Sequence, residues 1–260
     1  MILNPRRVSK HSGKDSSAAG GWRGPIYISS TTACAAALQS ESRTIPIVFV
    51  NVSDPVGMGF IASLPRPGGN LTGVLHLEAG IVSKWLAMLK EIAPTIKRAA
   101  MLGNPKTTSF GYFVQAAQIA AQSLVMEVPP VEVETAADIG RAIDSFARVP
   151  DSALVLPPDA TTQIHRDLVI ALAAQHRLPS VYPLHAFVAA GGLMSYGTDQ
   201  NDMFRLAASY VDRILRGDKP ADLPVQAPTT FETSINVRTA KTLGLNIPPG
   251  LLVAADELIE

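Results

Sequence analysis

Residues 45–73 read IPIVFVNVSDPVGMGFIASLPRPGGNLTG, and this stretch decides the fold. Ile45–Val50 is a short, uncharged run of branched apolar residues, the pattern of a strand buried on both faces of a parallel sheet. Asn51, Ser53, Asp54 and Pro55 follow it without a spacer. In open α/β sheets ligands sit just beyond the carboxyl ends of the strands, so polar side chains at that corner point to a site. Asp54 has two readings there: it caps a helix expected over Val56–Ser63, or it contacts a ligand, and one corner can serve both. Pro65, Pro67, Gly68 and Gly69 then force a loop, and Leu71–Leu75 resumes as a strand. Asn70-Leu71-Thr72 matches a glycosylation sequon, a match short enough to be frequent by chance.

The same strand, turn and helix grammar extends to both sides. Pro25–Ser29 is a strand, and Ser29, Ser30, Thr31 and Thr32 stand between it and an alanine-rich helix, where backbone N–H groups and the helix dipole favour an anionic group such as a carboxylate. The plainer alternative is one capping hydroxyl with the others solvated. Ile81–Ile92 is amphipathic, with Ile81, Trp85, Met88, Leu89 and Ile92 on one stripe, which makes Trp85 a core residue rather than a ligand platform. Strands follow at Arg98–Leu102, Val125–Val133, Ala153–Leu156 and Pro179–Tyr182, separated by helices at Phe110–Ser123, Ala136–Ala147 and Thr162–His176. Gly103-Asn104-Pro105 and Pro157-Pro158-Asp159 end two of these strands as further polar corners. Beyond Tyr182, His185 and Phe187, a glycine-flexed loop over 189–199 feeds a strand with Ser195, Tyr196 and Asp199, then a helix over Met203–Leu215 and further strand at Leu223–Gln226 and Phe231–Ile235. Alternation of this kind predicts an α/β fold with parallel sheets and helices on both faces.

Composition removes several function classes. Twenty-two basic and 22 acidic residues balance, and no basic run extends beyond Arg6, Arg7 and Lys10, which argues against nucleic acid or an acidic membrane as partner. Cys34 is the single cysteine, so there is no intrachain disulfide and no thiolate metal site. The five histidines lack HExxH or other ligand spacing, and no cofactor or metal is implied. No run approaches the ~20 apolar residues of a membrane span. A P-loop, a strand-borne GxGxxG and a GxSxG elbow are all missing, which disfavours nucleotide binding and nucleophilic catalysis. Residues 1–24 are basic and rich in Ser and Gly without periodicity, read as a disordered lead; positive charge with no apolar segment after it is not a secretory signal peptide.

Three blocks, TIPIVFVNVSDPVGMGFIASLPRPGGNLTG (44–73), AGGLMSYGTD (190–199) and YVDRILRGDKPADLPVQAPTTFETSINVRTAKTLGLNIPP (210–249), resemble in order and spacing the substrate-binding proteins of ABC transporters that include tryptophan- and tyrosine-binding lipoproteins. The resemblance runs from about Tyr27 to the end. It implies a type I periplasmic-binding fold of two α/β lobes that close like a hinge around a small ligand, an amino acid or similar organic molecule, without catalysis. It also implies a membrane permease as partner and a periplasmic location. Positions matching the family's cleft are Ser30, Thr31, Asp54, Asn104, Asp159 and Tyr196; hydroxyls and helix N–H groups would hold a carboxylate, Asp54 or Asp159 an ammonium. Tyr182, Phe187 or Tyr196 would cover an apolar side chain. The expected division is 25–76 plus 198–220 for the first lobe and 77–197 plus 221–260 for the second.

The chain departs from the family ahead of Pro25, where members carry a signal peptide and a strand, helix, strand, helix unit. The expectation is an incomplete first lobe that binds weakly or compensates by self-association, with a non-binding remnant, an interaction module or an α/β enzyme as the alternatives.

Overall fold

The computed structural model describes residues 21–260, so residues 1–20 of the expected disordered lead lie outside the described residues. In chain order the elements are β1 (Tyr27–Ser29), α1 (Thr32–Glu41), β2 (Ile47–Val52), β3 (Leu71–Leu75), α2 (Ile81–Ile92), β4 (Arg98–Gly103) and α3 (Phe110–Leu124). There follow β5 (Pro130–Glu132), α4 (Ala136–Phe146), β6 (Ser152–Val155), α5 (Ala160–Ile164), α6 (Arg166–Gln175), β7 (Ser180–Tyr182) and α7 (His185–Ala189). The last are β8 (Met194–Thr198), α8 (Gln200–Leu215), β9 (Phe231–Asn236), α9 (Val237–Leu243), α10 (Pro249–Ala254) and β10 (Glu257–Ile259). They form two compact units: the described residues up to Leu75 with Asn201–Gln226, and His76–Gln200 with Ala227–Glu260.

The first unit holds a three-stranded parallel sheet in the order β1-β2-β3. Its middle strand is the opening run of the sequence, and Ile47, Val48, Phe49 and Val50 are all fully buried. Successive side chains of a strand point to opposite faces, so both faces must be covered. Ile47 and Phe49 pack with Ala35 of α1 and with Phe60 and Ile61, whereas Val48 and Val50 meet Met203, Ala207, Tyr210 and Ile214. Those four recur at the spacing of one helical face, so α8 buries a single stripe against the sheet. The Thr72 hydroxyl donates to the Leu223 carbonyl at 2.7 Å, fixing the segment after α8 against β3. The Asn70 side-chain amide donates to the carbonyls of Ser42 and Ile45, so the sequon asparagine is a structural clamp, followed by buried Leu71 and Thr72.

The helix expected over Val56–Ser63 does not form. The segment is a set of hydrogen-bonded turns, Met58 N–H to Asp54 C=O, Gly59 N–H to Val56 C=O and Phe60 N–H to Pro55 C=O. Two glycines, Gly57 and Gly59, the second with φ of +70°, favour turns over a helix. β2 and β3 also shift register between Phe49 and Val52, with Asn51 in the left-handed region at φ 59°.

The second unit is built on seven strands in the order β10-β9-β8-β7-β6-β4-β5, parallel throughout except for β8 against β9. Alternation along β4 and β6 sorts the two faces. Ala99, Met101, Ala153 and Val155 join Trp85, Leu89 and Phe113 from α2 and α3. Ala100, Leu102, Leu154 and Leu156 join Ile139, Ile143, Val169 and Phe187. Trp85 is fully buried and donates from Nε1 to the Tyr196 carbonyl at 2.7 Å, the core role its stripe predicts.

Other boundaries move. The strand expected over Val125–Val133 shrinks to β5 and an isolated bridge at Glu127, because Val125 closes α3 in a left-handed conformation and Pro129 and Pro130 cannot donate to a ladder. The helix expected over Thr162–His176 is two helices broken at His165. Strand at Leu223–Gln226 is reduced to one bridge, Val74 to Gln226. Among the described residues, no helix is long and apolar enough to cross a membrane.

Candidate ligand-binding corners

Each unit presents polar side chains at the carboxyl ends of its parallel strands. In the first unit, Ser29 is buried and its hydroxyl donates to the Thr31 carbonyl at 2.9 Å, which turns the chain from β1 into α1. Thr31 is the N-cap of α1, its hydroxyl accepting from the Cys34 N–H at 3.1 Å. Ser30 between them is exposed. Beyond the neighbouring strand, Asp54 accepts from the Gly57 N–H at 2.9 Å through Oδ1. Asp54 thus caps a turn rather than a helix, and that turn leaves Val56 and Met58 exposed while Phe60 and Ile61 go into the core. The sheet therefore places Ser30, Thr31 and Asp54 at one end of neighbouring strands.

In the second unit β4 and β6 are neighbours, and the corners after them meet. Asn104, almost fully buried, donates from Nδ2 to the Thr161 hydroxyl at 2.8 Å and accepts at Oδ1 from the Lys106 N–H at 2.9 Å. Asp159, equally buried, receives the Thr162 N–H at 2.9 Å, the Thr161 N–H at 3.3 Å and the Thr107 hydroxyl. Burying a carboxylate is tolerable when donors surround it, and three donors meet this one. Thr107 and Thr161 are 3.3 Å apart, Oγ1 to Oγ1, and close the ring. Asn104 and Asp159 are thus brought together, through threonines that the sequence reading passed over. Their signal was visible: TTS at 107–109 and TT at 161–162 follow strand ends just as SSTT does at 29–32.

The aromatic candidates separate. Tyr182 does not stand open at a strand end; it is fully buried and its ring stacks on Phe187 with centroids 4.8 Å apart, which places both expected apolar covers inside the core. Desolvation pushes its hydroxyl up to about 12, partly opposed by a hydrogen bond with Ser180. Tyr182 pairs with Ser195 in the β7–β8 register, so Tyr196 points to the other face. There it is half-buried, stacked on Phe231 at 5.5 Å, with the Lys84 ammonium 5.8 Å from the ring centroid. Desolvation first, then the Asp256 charge, raises its pKa.

A further buried polar group follows β3. His76 is nearly fully enclosed; Nε2 faces the Gln200 amide at 3.4 Å and Nδ1 has no partner. Burial holds its pKa down to about 3, so the ring is neutral. Among the described residues, no group of three or more His, Cys, Asp or Glu side chains could hold a metal ion.

Comparison with known proteins gives these corners a context. The Tyrosine-binding protein of Clostridioides difficile (strain R20291) is 27% identical over 220 residues, covering 85% of this chain and 63% of the relative, so the chain spans less than two thirds of that relative's length. The crystal structure of an ABC domain in complex with L-Trp from Streptococcus pneumonia superposes with a TM-score of 0.85 at 26% identity, covering 90% of this chain and 78% of that one. A conserved domain protein from Vibrio cholerae O1 biovar eltor str. N16961 gives 0.84 at 28% identity, with the same coverage of 90% and 78%. The fold is accordingly α/β and periplasmic-binding-like. Residues 24–259 match the family model of the ABC transporter substrate binding proteins, and the chain belongs to that family.

Proposed function

We propose that this chain is the solute-binding component of an ABC-type uptake system and holds an amino acid without transforming it. The observation that carries the reading is the pair of hydroxyl- and carboxylate-bearing corners at the carboxyl ends of parallel strands, where α/β sheets hold ligands. It is supported by the L-Trp in the Streptococcus structure and by the name of the tyrosine-binding relative. Ser30 is the exposed hydroxyl of the first unit's corner, and Asn104, Thr107 and Asp159 are the buried polar set of the second. Asp159 orders that set, since its donors come from its own chain. Tyr196 is the aromatic candidate that is half-buried rather than enclosed in the core. A permease would receive the ligand, and an exported, periplasmic setting follows from that role.

Isothermal titration with L-tyrosine, L-tryptophan and the other amino acids, alongside thermal shifts, tests the reading. A ligand present at 100 times its Kd raises stability by ~2.7 kcal/mol, which a melting curve resolves. The expected result is one-to-one binding with the amino acid recovered unchanged. No thermal shift with any amino acid, or conversion of the ligand, refutes it.

A further inference from the structure

The corners differ in one respect that bears on how an amino acid would be oriented. Most of their hydrogen-bonding capacity is already committed. Ser29 and Thr31 spend their hydroxyls on the turn into α1, and the first N–H groups of the five-residue α5 go to Asp159. The start of the 15-residue α3 is different. Its N-cap, Ser109, sits in an inverse γ-turn at φ −73° and ψ 61°, with the Phe110 N–H bonded to the Thr108 carbonyl at 2.8 Å. The Ser109 hydroxyl makes no capping bond and has no hydrogen-bond partner, although the residue is only 8% exposed.

Around it the first turn is prepared for an anion. The Tyr112 N–H goes to the Ser109 carbonyl, leaving the Gly111 N–H as a first-turn donor without a helical acceptor. Gly111 is exposed, with nothing within 4 Å of where a Cβ would stand, so a ligand can approach the backbone. No acidic residue occupies the first turn to compete for the dipole. An unbonded serine hydroxyl is free to turn about χ1 between staggered positions, and its gain on meeting an acceptor is undiminished by any bond it must break.

We propose that the α-carboxylate of the bound amino acid is received at the start of α3, by the Ser109 hydroxyl and the Gly111 N–H. The identity of the ligand rests on the amino-acid reading above; the carboxylate site itself does not. Asp159, tied to Thr107 and holding three donors of its own chain, orders the neighbouring corner and leaves the start of α3 to receive the carboxylate. Ser109 and Gly111 thereby join the binding residues.

Two readouts on the full chain separate this proposal from the functional reading. In amide-resolved NMR, sodium acetate, a carboxylate with no other recognition element, should shift the Ser109 and Gly111 amides saturably, and Ser109→Ala should weaken that response roughly tenfold. In calorimetry, Ser109→Ala should weaken L-tryptophan roughly tenfold while leaving tryptamine, which lacks the carboxylate, unchanged; Ser109→Thr, which keeps a hydroxyl, should restore most of the loss. Acetate that leaves the α3 amides unmoved, or an equal loss for tryptophan and tryptamine, overturns the proposal. Should Ser109→Ala fail to fold, the acetate titration of the unaltered chain still decides. An acetate response at α3 with no binding of any amino acid refutes the functional reading while the anion site stands.

Discussion

The Asn104 side-chain amide reaches across the ends of two neighbouring strands to the Thr161 hydroxyl, 2.8 Å away, and joins the two corners of the second unit into one network. Asn104→Ala removes this bond and the one to the Lys106 N–H in a nearly dry place, at an expected cost of about 1–3 kcal/mol in denaturant unfolding. Thr161→Val should cost less in the Asn104→Ala background than alone, and a coupling indistinguishable from zero would show the contact to be incidental.

Asp54 and Gly57 make a tighter pair. A Cβ at Gly57 would stand 2.1 Å from Asp54 Oδ2 and 2.7 Å from its Cγ, so the turn requires glycine while Asp54 keeps its place. Gly57→Ala should destabilise by about 1–3 kcal/mol, and the same change with Asp54→Ala already present should add little. Thermal melts of the four proteins make the comparison.

A second glycine is held by backbone rather than by a side chain. At Gly73 on β3, a Cβ would lie 2.0 Å from the Phe49 carbonyl oxygen of the paired strand. Gly73→Ala has no side chain to push aside and should cost at least about 3 kcal/mol or block folding. Gly69→Ala, in open space two residues before the strand, should stay within about 0.5 kcal/mol of the parent. A tolerant Gly73 would mean that the β2–β3 register differs from that described.

His76 predicts a pH dependence. Its folded pKa is depressed from 6.5 to about 3, so the native state binds fewer protons than the unfolded chain between those values. The contribution is therefore complete above pH 6.5 and is lost progressively as pH falls toward 3, amounting to about 2 kcal/mol by pH 5. His76→Leu removes both the titration and the unpartnered Nδ1, and should flatten the stability curve between pH 7 and pH 5. Parallel slopes for the two proteins would exclude His76 as the origin.

Much of the architecture follows from local pattern. The Ile47–Val50 run, the α2 stripe of Ile81, Trp85, Met88, Leu89 and Ile92, and the proline and glycine stops define the α/β order directly, because burial on both faces of a parallel strand or on one face of a helix leaves a periodic trace in the chain. The corners after β1, β2, β4 and β6 were legible for the same reason, since polar residues follow apolar runs abruptly there. What those residues do was decided by neighbours distant in sequence. Asn104 and Asp159 are 55 positions apart and become one network because β4 and β6 pair. Tyr182 looks available beside its strand, yet contact with Phe187 and burial consign it to the core. The sequence by itself determined where strands end and polar groups begin; the tertiary structure alone decided which of those groups are already satisfied, because a hydrogen bond between residues far apart in the chain has no local signature.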